Sequence, residues 1–278
     1  MMTKTNRSNE ELALIVVAAG SSSRMGGIKK EYLPLESGTV LSTAVKAFLR
    51  TLPFSVVAVT FPNQENPELL KSAEEKCKNA LFEDKEFNKI ANNTEFIFVP
   101  GGASRQSSVF NALLKIKANF PNSNPVVFIH DGARPFVSKK IINSTFAAVQ
   151  KYGASAPGIQ PTDTQNEIDK NGFIKRHLVR SQLTAVQTPQ VFMLNELVEA
   201  HKKAQAVYEH HDGKLPTLKE LTAEYAALKG QLDAYKPDLA ELQSKLTDLK
   251  HIRYNYKILI RDIPHTDQYC RKGDRIER

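Results

Sequence analysis

The chain has 278 residues, of which 41% are hydrophobic and 24% are charged, and its formal net charge is +8. A chain of this length and composition can bury one sizeable core and carry an appendage. Cys77 and Cys270 lie far apart and lack the spacing of metal ligands, which excludes a disulfide framework and a zinc site. The N-terminal segment has no signal-peptide pattern, and its apolar run is too short to span a membrane. We therefore expect a cytoplasmic protein without membrane contact.

Short apolar runs alternate with longer helical patterns along the first two hundred residues. The predicted strands cover residues 14–19, 55–60, 95–99 and 125–130, and the predicted helices lie near residues 41–50, 66–81, 104–118 and 138–151. This order indicates an α/β fold with a mostly parallel sheet that is covered by helices on both sides. Ligands of such sheets bind at the carboxyl ends of the strands, so the loops there are the candidate site.

A loop of small residues follows the first predicted strand. Four small residues and two basic ones are its candidate ligand contacts: Gly20, Ser21, Ser22, Ser23, Arg24 and Lys30. Main-chain N–H groups of such a loop can approach an anion closely, and the basic side chains add positive charge. The loop has neither the Walker A spacing nor the G-x-G-x-x-G spacing. We expect it to bind a nucleoside triphosphate; the alternative is a solvated connection.

A second loop, in residues 100–111, reads PGGASRQSSVFN. Gly101 and Gly102 precede a helix start that is rich in serine. Main-chain N–H groups there could contact a base or a ribose, and Ser107 or Ser108 could hydrogen-bond the ligand. Alternatively, these serines only cap the helix.

A third loop, in residues 130–135, reads HDGARP and follows the fourth predicted strand. A carboxylate just past a buried strand could hold a divalent metal that bridges triphosphate oxygens, which makes Asp131 the candidate ligand. Alternatively, Asp131 caps the next helix and Arg134 is its partner in a surface salt bridge.

Residues 168–174 predict a β-hairpin, because Asn171-Gly172 lies between extended residues. Arg180 follows this hairpin. An arginine there could make a bidentate contact to a phosphate, although a solvated side chain is the alternative.

The residues after about 204 have a different pattern. Leucine or tyrosine recurs at alternating spacings of three and four between residues 218 and 249, which is a heptad pattern. Pro237 interrupts this pattern, so two helices in a hairpin or one kinked helix are both possible. Residues 250–278 hold eight Lys/Arg against four Asp/Glu. Half of the net charge therefore lies in this tail, and we expect a nucleic-acid partner only there, if anywhere.

Five motifs occur in a set order: AAGSSSRM with KKEYL, PGGASRQSSV, HDGARP, PTDT and TPQVF. Together they resemble the 2-C-methyl-D-erythritol 4-phosphate cytidylyltransferases over residues 12–200. The resemblance implies a Rossmann-like nucleotidyltransferase fold, CTP as the donor, Mg²⁺ as cofactor and release of diphosphate. It also implies a homodimer built through a protruding β-arm at about residues 160–187.

The same resemblance implies roles for individual residues. Arg24 and Lys30 match the catalytic pair, and Asp131 matches the metal ligand. The implied CTP-binding residues are Ala18, Ala19, Gly20, Ser21, Ser22, Ser23, Gly101, Gly102, Ser108, Gly132 and Ala133. The implied contacts to the sugar-alcohol phosphate are Arg134, Thr164, Arg180 and Thr188. Lys30 is preferred to Lys29 because the family's lysine stands two residues before the tyrosine.

The resemblance ends near residue 204, where the family would supply a second metal-binding aspartate and a substrate-binding lysine. We therefore expect a cytidylyltransferase-like domain in residues 1–204 and a basic helical or coiled-coil extension in residues 205–278. The composition of this extension is similar to that of the C-terminal segments of mobilisation relaxases. Two alternatives follow: a ribitol 5-phosphate cytidylyltransferase, or an inactive CTP-binding remnant whose tail mediates contacts with other molecules.

Overall fold

The computed structural model describes residues 11–261, apart from residues 21, 23–25, 27 and 211–216. For residues 208, 210, 218 and 251–261 it describes the backbone alone. The chain divides between Ala206 and Val207 into two compact units, and each unit is considered separately below.

A six-stranded, mostly parallel sheet forms the centre of the first unit, with strand order β5-β4-β1-β6-β12-β7. Its parallel strands are β1 (Leu12–Val17), β4 (Val56–Phe61), β5 (Glu95–Pro100) and β6 (Val126–Asp131). β12 (Gln190–Met193) runs antiparallel to β6, and β7 (Ala154–Ser155) runs antiparallel to β12. The four predicted strands are thus confirmed to within two residues.

Helices cover both faces of this sheet. Their bounds are α1 (Val40–Leu49), α2 (Pro67–Phe82), α3 (Lys85–Ile90), α4 (Arg105–Asn119), α5 (Lys139–Tyr152) and α6 (Leu194–His210). The predicted helices correspond to α1, α2, α4 and α5. Strand β1 shows why both faces are covered, because Leu14 and Val16 pack with α1, α2 and α5, whereas Ala13 and Ile15 pack with α4 and α6. A central parallel strand is therefore apolar at successive positions.

A buried ion pair holds α1 against α3. The Lys46 Nζ atom lies 2.6 Å from Asp84 Oδ2, and both side chains are almost fully buried. The other carboxylate oxygen of Asp84 accepts hydrogen bonds from the backbone N–H groups of Glu86 and Phe87, which caps α3. Although burial raises the pKa of Asp84, these donors and Lys46 hold it below its ordinary value.

Short two-stranded ladders complete the first unit. β2 (Pro34–Leu35) pairs with β3 (Gly38–Thr39), β8 (Gly158–Ile159) with β11 (Ala185–Val186), and β9 (Asn166–Ile168) with β10 (Ile174–His177), all antiparallel. The predicted hairpin is the β9–β10 pair. Its turn is held by Asp169 Oδ1, which accepts hydrogen bonds from the backbone of Asn171 and Phe173, and Gly172 adopts φ +88°.

The second unit contains one long helix, α7 (Leu218–Arg261). Thr217 and Glu220 begin it as in a capping box: the Thr217 N–H donates to Glu220 Oε2, and the Glu220 N–H donates to Thr217 Oγ1. Pro237 lies inside the helix, so the heptad segment forms a single helix and not a helical hairpin. Among the helices described, none is long and apolar enough to cross a membrane.

Candidate active site

The first loop leaves β1 with its backbone fixed by two neighbours. The Ala18 N–H donates to Thr60 Oγ1 at 3.0 Å, which ties the loop to β4. The Lys29 ammonium donates to the carbonyl oxygen of Gly20 and, at 3.5 Å, to that of Ala18. Burial lowers the pKa of Lys29, an effect that the charge of Glu31 partly opposes. Lys29 therefore serves as an internal support of the loop.

The structure describes some of the residues predicted for this loop and not others. Arg24, Ser21 and Ser23 lie outside the described residues. Ser22 adopts φ 52°, in the left-handed region, and Gly20 is exposed. Lys30 begins a 3-10 helical turn, Lys30–Tyr32, and is half-buried. Within the described part of the chain, its side chain makes no hydrogen bond or ion pair, so its ammonium is available to a ligand.

The glycines of the other two loops allow close packing against the first. A Cβ built on Gly101 would lie 2.4 Å from the Ala19 Cβ, a distance at which one of the two loops must move. A Cβ on Gly132 would lie 3.2 Å from the Ala18 Cβ. The loops after β1, β5 and β6 are thus in contact through small residues, as predicted for three strand ends at one edge of the sheet.

Ser108 supports the second loop from beneath. It is buried, its Oγ accepts the Gly102 N–H at 3.0 Å and lies 2.8 Å from the Ser104 carbonyl oxygen, to which its hydroxyl donates. Ser104 and Ser107 form the capping box of α4. Ser104 and Ser107 therefore cap the helix, which was the alternative role for the serines of this motif. Ser108 instead shapes the glycine turn that would meet a ligand.

Asp131, at the end of β6, lies between two arginines. Its Oδ1 is 2.9 Å from Arg105 Nη2, and its Oδ2 is 2.9 Å from Arg134 Nε. Gln190 and Gln187 hold the two guanidinium groups in turn, accepting from Arg105 and Arg134 respectively. Ser138, and not Asp131, caps α5. Two cations around one carboxylate give this edge of the sheet an excess of positive charge, which suits a polyanionic ligand.

His130 joins the third loop to the segment before β12. Its Nδ1 lies 2.9 Å from Thr188 Oγ1 and its Nε2 lies 2.9 Å from the Arg134 carbonyl oxygen. A carbonyl only accepts, so Nε2 carries the proton and the Thr188 hydroxyl donates to Nδ1. Burial lowers the pKa of His130, while its bond to Arg134 opposes this. The neutral imidazole therefore positions Thr188 beside Arg134.

The remaining predicted acceptor contacts lie on residues 158–186, the hairpin segment, which carries strands β8 to β11. Arg180 lies in a 3-10 turn, where its Nη1 donates to the Thr162 carbonyl oxygen at 2.7 Å, and Thr164 is exposed. Among the described residues, no hydrogen bond or ion pair links these two side chains to Asp131 or its arginines. Within the described part of one chain, His130 connects Thr188 with the Arg134 backbone, whereas no hydrogen bond connects Thr164 or Arg180 with either of them.

Several site residues were missed by the sequence analysis. Arg105 is the clearest case, because it stands in the PGGASRQSSV motif but the α4 start has to meet the end of β6 before its partner is known. Gln187 and Gln190 were missed for the same reason, and Lys29 was considered only as the less favoured alternative to Lys30. The sequence signal for the two cations was that Arg105 and Arg134 each follow a glycine of their loop within three residues.

The chain matches a family model described as 2-C-methyl-D-erythritol 4-phosphate cytidylyltransferase over residues 12–236. A protein of that name from Clostridium beijerinckii is 37% identical over 193 residues, which are 69% of this chain and 77% of the relative. One from Bacillus cereus is 34% identical over 193 residues, 69% of this chain and 76% of the relative.

Two solved structures have a similar fold. The 4-diphosphocytidyl-2C-methyl-D-erythritol synthase of Anaerococcus prevotii aligns with a TM-score of 0.52 at 21% identity, over 79% of this chain and 96% of that one. The 2-C-methyl-D-erythritol 4-phosphate cytidylyltransferase of Francisella tularensis aligns with a TM-score of 0.52 at 24% identity, over 73% of this chain and 81% of that one. These alignments support the α/β architecture.

Proposed function

Because the chain belongs to the 2-C-methyl-D-erythritol 4-phosphate cytidylyltransferase family, we propose that its three strand-end loops form the CTP site of this nucleotidyltransferase. The reaction transfers CMP from CTP to 2-C-methyl-D-erythritol 4-phosphate, a step of isoprenoid biosynthesis. One observation carries the assignment of the site: Asp131 lies between Arg105 and Arg134 at the edge where the glycine loops pack on Ala18 and Ala19.

The nucleotide is held by main-chain groups and basic side chains. The loop at residues 18–23 offers N–H groups to the triphosphate, and Gly101 and Gly102 offer theirs to the cytidine. Because Gly101 and Gly132 lack a Cβ, the three loops can pack closely on one another at the edge where we place the ligand. Gly132 and Ala133 complete this small-residue floor.

Catalysis rests on positioning and charge, since no covalent protein intermediate is needed. An oxygen of the acceptor phosphate attacks the α-phosphorus of CTP in line, the bond from that phosphorus to the bridging oxygen breaks, and diphosphate leaves with the electron pair. Negative charge grows on the α-phosphoryl oxygens and on the diphosphate. Arg24 and Lys30 stabilise this charge; among the described residues the Lys30 side chain makes no hydrogen bond or ion pair, which supports the role.

Mg²⁺ would be bound mainly by the nucleotide, because each carboxylate oxygen of Asp131 also accepts from an arginine. Within the described residues, no group of three His, Cys, Asp or Glu side chains could cage a metal. Mg²⁺ is commonly held by one or two carboxylates plus substrate phosphates, and Asp131 supplies one such carboxylate at the site edge. When bound, the ion would neutralise charge on the phosphates.

The acceptor is held by Arg134 and Thr188, with Thr164 and Arg180 as further contacts from the hairpin segment. Arg134 carries a planar pair of donors suited to a phosphate, and the Thr188 hydroxyl keeps a lone pair to accept from the sugar alcohol. The names of the matched family and relatives favour 2-C-methyl-D-erythritol 4-phosphate over ribitol 5-phosphate.

A homodimer built through the hairpin segment is the third part of the proposal. Six large apolar side chains there are 56–72% exposed: Ile159, Ile168, Phe173, Ile174, Val179 and Val186. Exposed apolar surface on two-stranded ladders indicates a protein contact, and the hairpin segment of a second copy would cover it. In this proposal, residues 1–204 form the catalytic domain, and residues 205–278 form the helical extension.

Diphosphate release from CTP tests the proposal. The full chain with Mg²⁺ and CTP should release diphosphate with 2-C-methyl-D-erythritol 4-phosphate and not with ribitol 5-phosphate. Arg24→Ala should abolish release, whereas Arg50→Ala, which removes an exposed arginine paired with Glu86, should leave it intact. Binding of CTP without turnover on either acceptor would instead identify an inactive remnant.

A further inference from the structure

The α7 helix carries a continuous apolar stripe. Large side chains recur at the heptad positions a and d: Leu221, Tyr225, Leu228, Leu232, Tyr235, Leu239, Leu242, Leu246 and Leu249. All nine are between 41% and 68% exposed. Every Leu or Tyr in residues 219–250 is on this stripe, and that segment contains no Val, Ile, Met or Phe. The large apolar side chains of the segment are therefore confined to one line.

The spacing of the stripe specifies the shape of its partner. A strict 3.5-residue period follows a left-handed supercoil, in which each side chain enters a hole on a second helix of the same period. A flat surface or a single strand cannot meet such a line over its whole length. The stripe spans about 42 Å at 1.5 Å per residue.

The other described helices of this chain are too short to cover the stripe. The longest is α6, with 17 residues, or about 26 Å. Each a or d side chain offers roughly 100 Å² of apolar surface, so nine of them provide about 900 Å², which is enough for the roughly 800 Å² per partner of a specific interface. A second α7 has the matching period, length and area.

The residues least suited to a helix lie opposite the stripe. Gly230 and Pro237 occupy equivalent positions of consecutive heptads, on the face farthest from positions a and d. The backbone carbonyl that Pro237 leaves unpaired therefore faces solvent when the stripe is covered. Their placement keeps the apolar line uninterrupted.

We propose that α7 is a self-association surface, which forms a two-stranded coiled coil with the α7 helix of a second copy of this chain. The flanking charges do not choose the strand direction. In a parallel pair Glu224 meets Lys229 and Lys245 meets Lys250, whereas in an antiparallel pair Glu224 meets Lys245 and Lys229 meets Lys236. One attraction and one repulsion arise in each case, so association rests on the apolar stripe and is insensitive to salt.

Sedimentation velocity of the full chain tests this surface separately from the hairpin dimer. The background variant Phe173→Lys/Ile174→Lys places charges on the hairpin and leaves α7 unchanged. In this background we expect a dimer, both at about 0.1 M and at about 0.5 M salt. Adding Leu232→Glu/Leu239→Glu on the stripe should give a monomer, whereas Ala227→Glu/Ala234→Glu, which adds the same charges on the opposite face, should keep the dimer.

A monomeric background chain, or a dimer that survives the stripe charges, would overturn the proposal. Association that appears only with added DNA and weakens steeply with salt would assign α7 to nucleic acid instead. A nitroxide at Ser244→Cys, with Cys270→Ser, gives a second measurement that leaves the stripe unaltered. We expect dipolar coupling between chains at about 40 Å or less, because the two labels lie level with each other in a parallel pair and about 32 Å apart along the axis in an antiparallel pair; no coupling would contradict the coiled coil. None of these measurements depends on turnover.

Discussion

His130 Nδ1 lies 2.9 Å from Thr188 Oγ1, and this contact connects the end of β6 to the residues that lead into β12. The imidazole holds Thr188 while its other nitrogen donates to the Arg134 carbonyl oxygen. The same ring thus positions two residues that we assign to the acceptor. Protonation would place a donor against the Thr188 hydroxyl and a charge in a buried position.

The stability of the fold should therefore fall in mild acid. Because burial lowers the His130 pKa in the folded state, the unfolded chain binds the proton first as the pH decreases. The stabilisation is complete above about pH 6.5, the ordinary histidine pKa, and is lost as the pH falls from there toward the folded pKa. Urea unfolding between about pH 5 and pH 7.5 should show this slope, at most about 1.4 kcal/mol per pH unit for one proton. His130→Gln should flatten it, and His177→Gln, on the exposed β10 strand, should not. An unchanged slope in His130→Gln would remove the assignment.

Lys29 and Lys30 should differ in the kinetic constant that they affect. Lys30→Gln should lower kcat by about 10²–10³, because it removes a fixed cation from charge that develops in the transition state. Lys29→Gln should mainly raise KM for CTP, because Lys29 holds the carbonyl groups of Ala18 and Gly20. Steady-state kinetics of diphosphate release compare the two. If Lys29→Gln lost kcat and Lys30→Gln did not, the catalytic lysine would be Lys29.

Asp131→Asn should impair the response to Mg²⁺ more than the binding of CTP. The amide retains an oxygen but loses the charge, and we expect kcat to fall by about 100-fold, or about 3 kcal/mol of transition-state stabilisation. The Mg²⁺ concentration for half-maximal activity should rise. Glu83→Gln, at an exposed carboxylate on the end of α2, serves as the control. A normal Mg²⁺ titration in Asp131→Asn would show that Asp131 is not the metal ligand.

The buried Lys46–Asp84 pair should stabilise the fold only while both partners are present. Lys46→Met leaves a buried carboxylate without its cation and should reduce the free energy of unfolding by about 3–5 kcal/mol. The double variant Lys46→Met/Asp84→Leu should recover part of this loss, although it also removes the cap of α3. Chemical denaturation measures both. Equal stability of Lys46→Met and the unmodified chain would mean that Asp84 is neutral or solvated.

The sequence predicted the elements that have a clear period and missed those that depend on tertiary contacts. Strand β1 was recognisable because it is buried on both faces, and α4 because glycines and serines mark its start. The short strand β12 and helix α3 have no such pattern: α3 depends on Asp84 as its cap, and Asp84 depends on Lys46 from another helix. At the site, the motifs located Asp131 and offered Arg134 as its ion-pair partner, but Arg105 became evident only when α4 and β6 were brought together.

The antiparallel direction of β12 has a consequence for how the enzyme can change. It brings Thr188 and Gln190 to the same edge of the sheet as Asp131, although the loops that we assign to the nucleotide all come from residues before 135. In the proposed site, the acceptor contacts Thr164, Arg180 and Thr188 are thereby encoded after the stretch that supplies the donor contacts, and Arg134 stands at the end of that stretch. Exchange of the segment at residues 156–193 between related enzymes is therefore a route to a new acceptor that leaves the proposed nucleotide loops and Arg134 in place.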